Sequence, residues 1–200
     1  MHRPATFKLA PASFLRIAMG DLTLWRADNG AIVNAANSAM LGGGGVDGAI
    51  HRRAGPKLLR LCEQVPELEP GVRCPVGEAR LTSGETKLGV RHVIHTVGPV
   101  YHVESDPALK LESCYRSSLA LANDNGIEHV AFPAISCGAF GYPLHEAAEV
   151  AMMACKQHVG EVKEVVFVLF GEDTLETWLS AAESLLEPDD AGIKSAPNEE

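Results

Sequence analysis

Asn34, Asn37, Asp47 and His51 surround an unbroken run of four glycines, Gly42, Gly43, Gly44 and Gly45. Two amides, a carboxylate and an imidazole can orient a polar substrate, hold a water and move a proton. Asp47 and His51 are four apart, so they share a face if the segment is helical. Glycine lets a backbone approach a ligand closely and take positive φ. A helix start offers unpaired N–H groups and a positive dipole end to an anion. The order of apolar run, polar turn, glycines and amphipathic segment therefore predicts a pocket for a phosphate-bearing molecule, with amides and a carboxylate at its edge. The plain alternatives are a flexible loop and a solvated ion pair. Four consecutive glycines cost too much ordering entropy to be idle, and their neighbourhood argues for a working Asp47.

A second small-residue stretch, SCGAFGYP at 136–143, follows the apolar run HVAFPAI at 129–135. Cys137 there could be a nucleophile at an anion site. A cysteine phosphatase would carry an arginine six residues later, where Pro143 stands, so a small loop residue is the better reading. Phe140 and Tyr142 either anchor this loop or offer a ring to a sugar. Asp21 after Gly20 is a turn residue that could also accept a hydrogen bond from a base amine. Gly43, Gly45 and Gly48 satisfy G-x-G-x-x-G, but seven residues separate them from the strand and no acid ends a second strand at the right distance. A plain dinucleotide-binding site is rejected on that ground. There is no G-x-x-x-x-G-K-[ST] and no H-E-x-x-H. His92 and His95 are three apart on a strand and point to opposite faces, so they are no metal pair, and no catalytic metal is expected.

These groups need a frame, and the remaining pattern supplies one. Strands are expected at 14–19, 31–35, 78–82, 91–97, 129–135 and 164–170, and helices at 46–64 with a break at Gly55-Pro56, 107–125, 144–158 and 174–186, the last capped by Asp173. Pro66, Pro70, Gly71, Pro75 and Gly77 mark 65–77 as loop. Alternating strands and helices predict an α/β domain with a mostly parallel sheet and helices on both faces. Ligands in such sheets lie beyond the carboxyl ends of the strands, which is where the two glycine-rich loops fall. Residues 1–13 read as an N-terminal extension, 14–186 as the domain and 187–200 as an acidic, disordered tail. Five cysteines without C-x-x-C spacing argue against a disulfide framework or zinc knuckle and for a reducing compartment. No apolar run is long enough for a membrane helix. The N-terminus has no secretory pattern, though its basic character leaves a short organellar transit segment open. The formal charge of −9 includes −4 from the last fourteen residues. That is a poor footprint for binding a nucleic-acid backbone, and any phosphate must be held mainly by backbone N–H groups.

Taken in order, GD at 20–21, VNAAN at 33–37, GGGGVDGAIHRRAG at 42–55, VIHTVGP at 93–99 and AISCGAFGYP at 134–143 resemble the macrodomain family, most of all its MacroD-type hydrolase class. VPELEPGVRCPVGEARLT at 65–82 is similar to plant and bacterial members. The resemblance implies a three-layer α/β/α sandwich with a mixed, mostly parallel central sheet that binds ADP-ribose. By position, Asp21 with Leu22 would take the adenine. Asn34 and Asn37 would orient the distal ribose. Gly42, Gly43, Gly44, Gly45 and Val46 would wrap that ribose and the diphosphate. Asp47 would be the catalytic carboxylate and His51 its supporter. Ser136, Cys137, Gly138, Ala139 and Phe140 would cradle the diphosphate, Phe140 packing on the ribose. Many relatives carry threonine where Cys137 stands. The implied activity is hydrolysis of ester-linked ADP-ribose, on Asp or Glu of mono-ADP-ribosylated proteins or in O-acetyl-ADP-ribose, with no metal or cofactor. A non-catalytic ADP-ribose reader and an ADP-ribose 1″-phosphatase are the alternatives. The expected state is a monomer in the cytoplasm or nucleus.

Overall fold

The computed structural model describes residues 5–84 and 86–189. Eight strands form one mixed sheet in the order β4-β5-β3-β6-β7-β2-β1-β8. They are β1 (Ala5–Ala10), β2 (Ser13–Met19), β3 (Gly30–Ala35), β4 (Ala79–Ser83), β5 (His92–Thr96), β6 (His129–Phe132), β7 (Glu164–Leu169) and β8 (Glu187–Pro188). The central pairs β5–β3, β3–β6, β6–β7 and β7–β2 are parallel. The outer pairs β4–β5, β2–β1 and β1–β8 are antiparallel. The central strands read as continuous apolar runs because helices cover them on both sides.

Strand alternation splits the core between the two faces. Ile32 and Val93 face α1 (Gly45–Ala54) and α2 (Pro56–Glu63), which contribute Ile50, Ala54, Leu58 and Cys62. Val33, Ile94, Val130 and Phe167 face the opposite layer of α3 (Pro107–Asp124), α4 (Leu144–His158) and α5 (Glu172–Leu185). There Tyr115, Phe132, Phe167 and Trp178 form a chain of ring contacts with centroids 5.2–6.1 Å apart. Helix, sheet and helix make the three layers expected.

Several boundaries differ from the sequence reading. The stretch 1–13 is not an appendage throughout, because β1 pairs with β2 and buries Phe7 and Leu9 in the core. Alternation in TFKLA is too short to announce itself. Glu187 and Pro188, assigned to the tail, pair with β1; residues 190–200 lie outside the described residues. Strand β6 stops at Phe132, since Pro133 has no N–H to continue the ladder. Asp173 does not cap α5: Gly171 does, at φ 95°, leaving Asp173 in the first turn, where its charge suits the helix dipole. The break between α1 and α2 falls at Gly55, with Pro56 at the first position of α2, where a missing N–H costs nothing.

The topology also locates a crevice. The chain leaves β3 for α1 on one face, and leaves neighbouring β6 for α4 on the other. At such a switch point the two departing loops part and open a cleft.

Candidate functional site

A cavity of about 230 Å³ fills that cleft. One wall is Ala35, Ala36, Asn37, Gly43, Gly44, Gly45, Val46 and Asp47; the other is Ala134, Ser136, Gly138, Ala139 and Phe140, with Gly98 between them. The two glycine-rich loops thus face each other across one pocket, as the sequence suggested. Gly45 has φ 56°, which is strained for other residues. Gly43 is needed for a different reason: a Cβ there would lie 3.0 Å from Asp47 Oδ2 and 3.1 Å from Asn37 Nδ2. A Cβ on Gly44, Gly45 or Gly138 would meet no protein atom within 4 Å, so the backbone there is bare toward open space. Helix α1 begins in this wall with Gly44 as its cap and no side-chain capping bond. Its first-turn N–H groups are available to an acceptor. The only charged side chain among these wall residues is Asp47.

Asp47 is held from behind. It sits in the first turn of α1 and is 3% exposed. Its Oδ1 accepts a hydrogen bond from Asn34 Nδ2 at 2.7 Å, and His51 Nε2 lies 3.5 Å from the same oxygen. Its Oδ2 is buried and has no hydrogen-bond partner among the described residues. Asn34, on β3, is fully buried and absent from the cavity wall. Asn34, expected to orient the ribose, has both its amide hydrogens engaged within the fold, one on Asp47 and one on His95 Nδ1 at 3.1 Å. Asn37 does reach the wall. Its side chain also ties the loop, donating to Gly42 O at 3.0 Å and accepting from Met40 N at 3.2 Å.

His95 is the residue the sequence reading passed over as a core or rim histidine. It is fully buried on β5, and burial holds its pKa down to about 3, with His51 adding to the effect. Its Nε2 lies 2.9 Å from Thr82 Oγ1 on β4 and 3.8 Å from Cys62 Sγ on α2. Asn34 Nδ2 can only donate, so Nδ1 of His95 accepts and the ring proton sits on Nε2. The only available cue was VIHTV itself, a histidine amid β-branched residues.

The second loop is shaped by its own bonds. Gly141 N donates to Gly138 O, Tyr142 N to Ser136 O, and Tyr101 N to Phe140 O. Ser136 adopts φ 64° and keeps a buried Oγ without a hydrogen-bond partner among the described residues. Tyr142 is buried and stacks edge-on with Tyr101, so it anchors the loop, whereas Phe140 lines the cavity. Cys137 is not part of the wall. Burial pushes its thiol up to about 12, which disables it as a nucleophile at neutral pH. Asp21, Leu22 and Gly42 also lie outside the wall. Asp21 follows β2, and its Oδ1 accepts from Thr23 N at 2.9 Å and Thr23 Oγ1 at 2.7 Å. It caps a 3-10 turn at Leu22–Leu24 that the sequence reading did not foresee. Among the described residues, no three His, Cys, Asp or Glu side chains cluster in a way that could hold a metal ion.

Comparison with known proteins agrees with this architecture. Residues 33–151 match the family model described as Macro domain. A Macro domain-containing protein of Vibrio parahaemolyticus is 50% identical over 167 residues, covering 84% of this chain and 96% of that protein. Another, of Xanthomonas axonopodis pv. citri, is 48% identical over 174 residues, covering 84% and 94%. Among solved structures, the Oceanobacillus iheyensis macrodomain with ADP superposes with a TM-score of 0.84 at 38% identity, covering 92% of this chain and 96% of that one. The Trypanosoma brucei macrodomain in complex with ADP-ribose gives 0.70 at 40% identity, covering 84% and 68%. The chain belongs to the Macro domain family.

Proposed function

We propose that this macrodomain binds ADP-ribose and hydrolyses its esters, as the MacroD-type class does. The relatives crystallised with ADP and ADP-ribose support the ligand. The observation that carries the enzymatic reading is Asp47 in the wall of the cavity, with a buried Oδ2 that no described residue satisfies. A pure binding pocket for an anion gains nothing from a carboxylate there, since like charges repel.

In this reading the bare backbone of 43–45 and 138–140, with the α1 N-terminus, receives the diphosphate, and Phe140 packs on the distal ribose. Oδ2 accepts a hydrogen bond from a water and directs its oxygen to the anomeric carbon. The C–O bond to the carboxylate breaks as the water adds. The departing group is a carboxylate whose acid ionises near pH 4, so it leaves without a general acid, unlike the leaving groups that most glycosidases protonate. An aspartate is a weak base at pH 7. The rate therefore rests on placing the water more than on taking its proton, and that proton is released once the hemiacetal has formed. Metal plays no part in this scheme.

The test is product analysis with a mono-ADP-ribosylated acidic protein, O-acetyl-ADP-ribose and ADP-ribose 1″-phosphate in parallel, with and without chelator. Release from the two esters in both conditions is expected. Binding without release from any ester would establish a reader. Release from the phosphate alone would establish a 1″-phosphatase, and loss with chelator would refute the metal-free scheme.

A further inference from the structure

Four side chains from four elements make one buried hydrogen-bonded line: Thr82 on β4, His95 on β5, Asn34 on β3 and Asp47 on α1. All four are less than a tenth exposed. Sheet register aligns them. Asn34 is paired with His95 across β3–β5, and Arg80, two residues before Thr82, is paired with His95 across β4–β5. All three strand residues therefore point to the α1–α2 face.

We propose that His95 is a positioning residue for the ester hydrolysis: its Nδ1 accepts one Asn34 amide hydrogen, which aims the other at Asp47 Oδ1 and leaves Oδ2 turned to the cavity. The inference rests on the reading of Asp47 given above. Asn34 Oδ1 has no hydrogen-bond partner among the described residues, so His95 and Asp47 are the side chains that fix the carboxamide plane. A planar NH2 group places its two hydrogens in a set relation, and anchoring one directs the other. Reversing the amide would set Asn34 Oδ1 against a carboxylate oxygen at 2.7 Å and oxygen against the unprotonated Nδ1 at 3.1 Å, so the acceptor on His95 also selects the amide orientation. The ring does not line the cavity, and its hydrogen-bonded link to Asp47 runs through Asn34.

The line also holds together chemically. Burial keeps His95 neutral at working pH, so Nδ1 remains an acceptor. Thr82 Oγ1 takes the Nε2 proton and fixes the tautomer. An apolar residue would suit this face of the sheet, which also carries Ile32 and Val93, without the desolvation that a buried imidazole imposes. A satisfied polar network in such a place specifies one geometry.

Two substitutions separate the two ring nitrogens. In His95→Asn the side-chain oxygen can occupy the place of Nδ1, while in His95→Gln the carboxamide reaches the place of Nε2. With an ester substrate, His95→Asn should keep kcat within about threefold of wild type, while His95→Gln and His95→Leu should lose about tenfold or more, with KM and ADP-ribose Kd within about twofold. Thermal stability should fall comparably in the Asn and Gln variants. In 1H–15N spectra both Asn34 side-chain amide protons should be protected in wild type and His95→Asn, and one released in His95→Gln. Equal kcat for the Asn and Gln variants, or kcat losses that follow Tm, would overturn the proposal. A wild type without turnover would refute the hydrolase reading instead, and the line would then stand or fall on the amide protection alone.

Discussion

Asp47 and Asn34 occupy the same hydrogen bond but different sides of the pocket wall, and their substitutions should separate accordingly. Asp47 is a wall residue of the cavity, and its buried Oδ2 has no hydrogen-bond partner among the described residues. Asp47→Ala should lower turnover of an Asp- or Glu-linked ADP-ribosyl protein by about 100-fold, the usual scale for a lost general base or water holder. ADP-ribose affinity by calorimetry should change little, because the removed group faces the water and not the diphosphate. Asn34 lies behind the wall and is fully buried. Asn34→Ala strands Asp47 Oδ1 and His95 Nδ1, each at a cost of roughly 1–3 kcal/mol. That variant should lose both turnover and thermal stability, again with affinity nearly intact. A large fall in affinity for Asn34→Ala would mean that its side chain reaches the sugar after all. At this scale the sequence revealed residue types and not depth. It showed that Asn34 and Asp47 belonged together but could not show that one stands behind the other, since depth depends on the β3–β5 register and the tilt of α1.

The loops were more legible than the depths, because glycine announces its own use. Composition and position after apolar strands put the 42–45 run and the 136–143 stretch on one pocket, and the cavity wall takes in Gly43, Gly44 and Gly45 from the first and Ser136, Gly138, Ala139 and Phe140 from the second. Gly138 offers a direct check on the second loop. It has room for a Cβ, so Gly138→Ala should fold and still bind ADP-ribose. Gly138→Glu puts an anion on the wall and should abolish binding while far-UV circular dichroism stays native. Retained binding in the folded glutamate variant would move the diphosphate away from this loop. The elements that escaped notice lacked such markers. Strand β1 is six residues long, with Phe7 and Leu9 alternating with Thr6 and Lys8 over too short a span to stand out, and β8 is a two-residue pairing of Glu187 and Pro188; both are made by their neighbours on the sheet edge more than by local preference. The 3-10 turn after β2 gives Gly-Asp at 20–21 its turn role: Asp21 caps it through Oδ1.

For the whole molecule, charge and topology pull in opposite directions. The formal net charge is −9, yet the pocket is read as a site for a diphosphate. A protein that recruits phosphate with lysines and arginines gains from long-range attraction, and loses it as salt screens the field. Here the cavity wall carries Asp47 and neither lysine nor arginine. In the proposed reading, attraction comes from backbone N–H groups and the α1 terminus, whose reach is about one helical turn. The parallel centre of the sheet, with departures to opposite faces at β3 and β6, is what gathers those N–H groups without any basic side chain. Salt should therefore affect this protein in the sense opposite to a nucleic-acid binder. Between about 0.01 and 0.15 M monovalent salt the Debye length shortens from about 30 to about 8 Å, which screens the repulsion between an anionic protein and an anionic ligand. Stopped-flow association of a fluorescent ADP-ribose analogue should hold steady or accelerate over that range. A rate that falls steeply with salt would show that basic side chains outside this wall steer the ligand, and the backbone-cradle account of the site would fail.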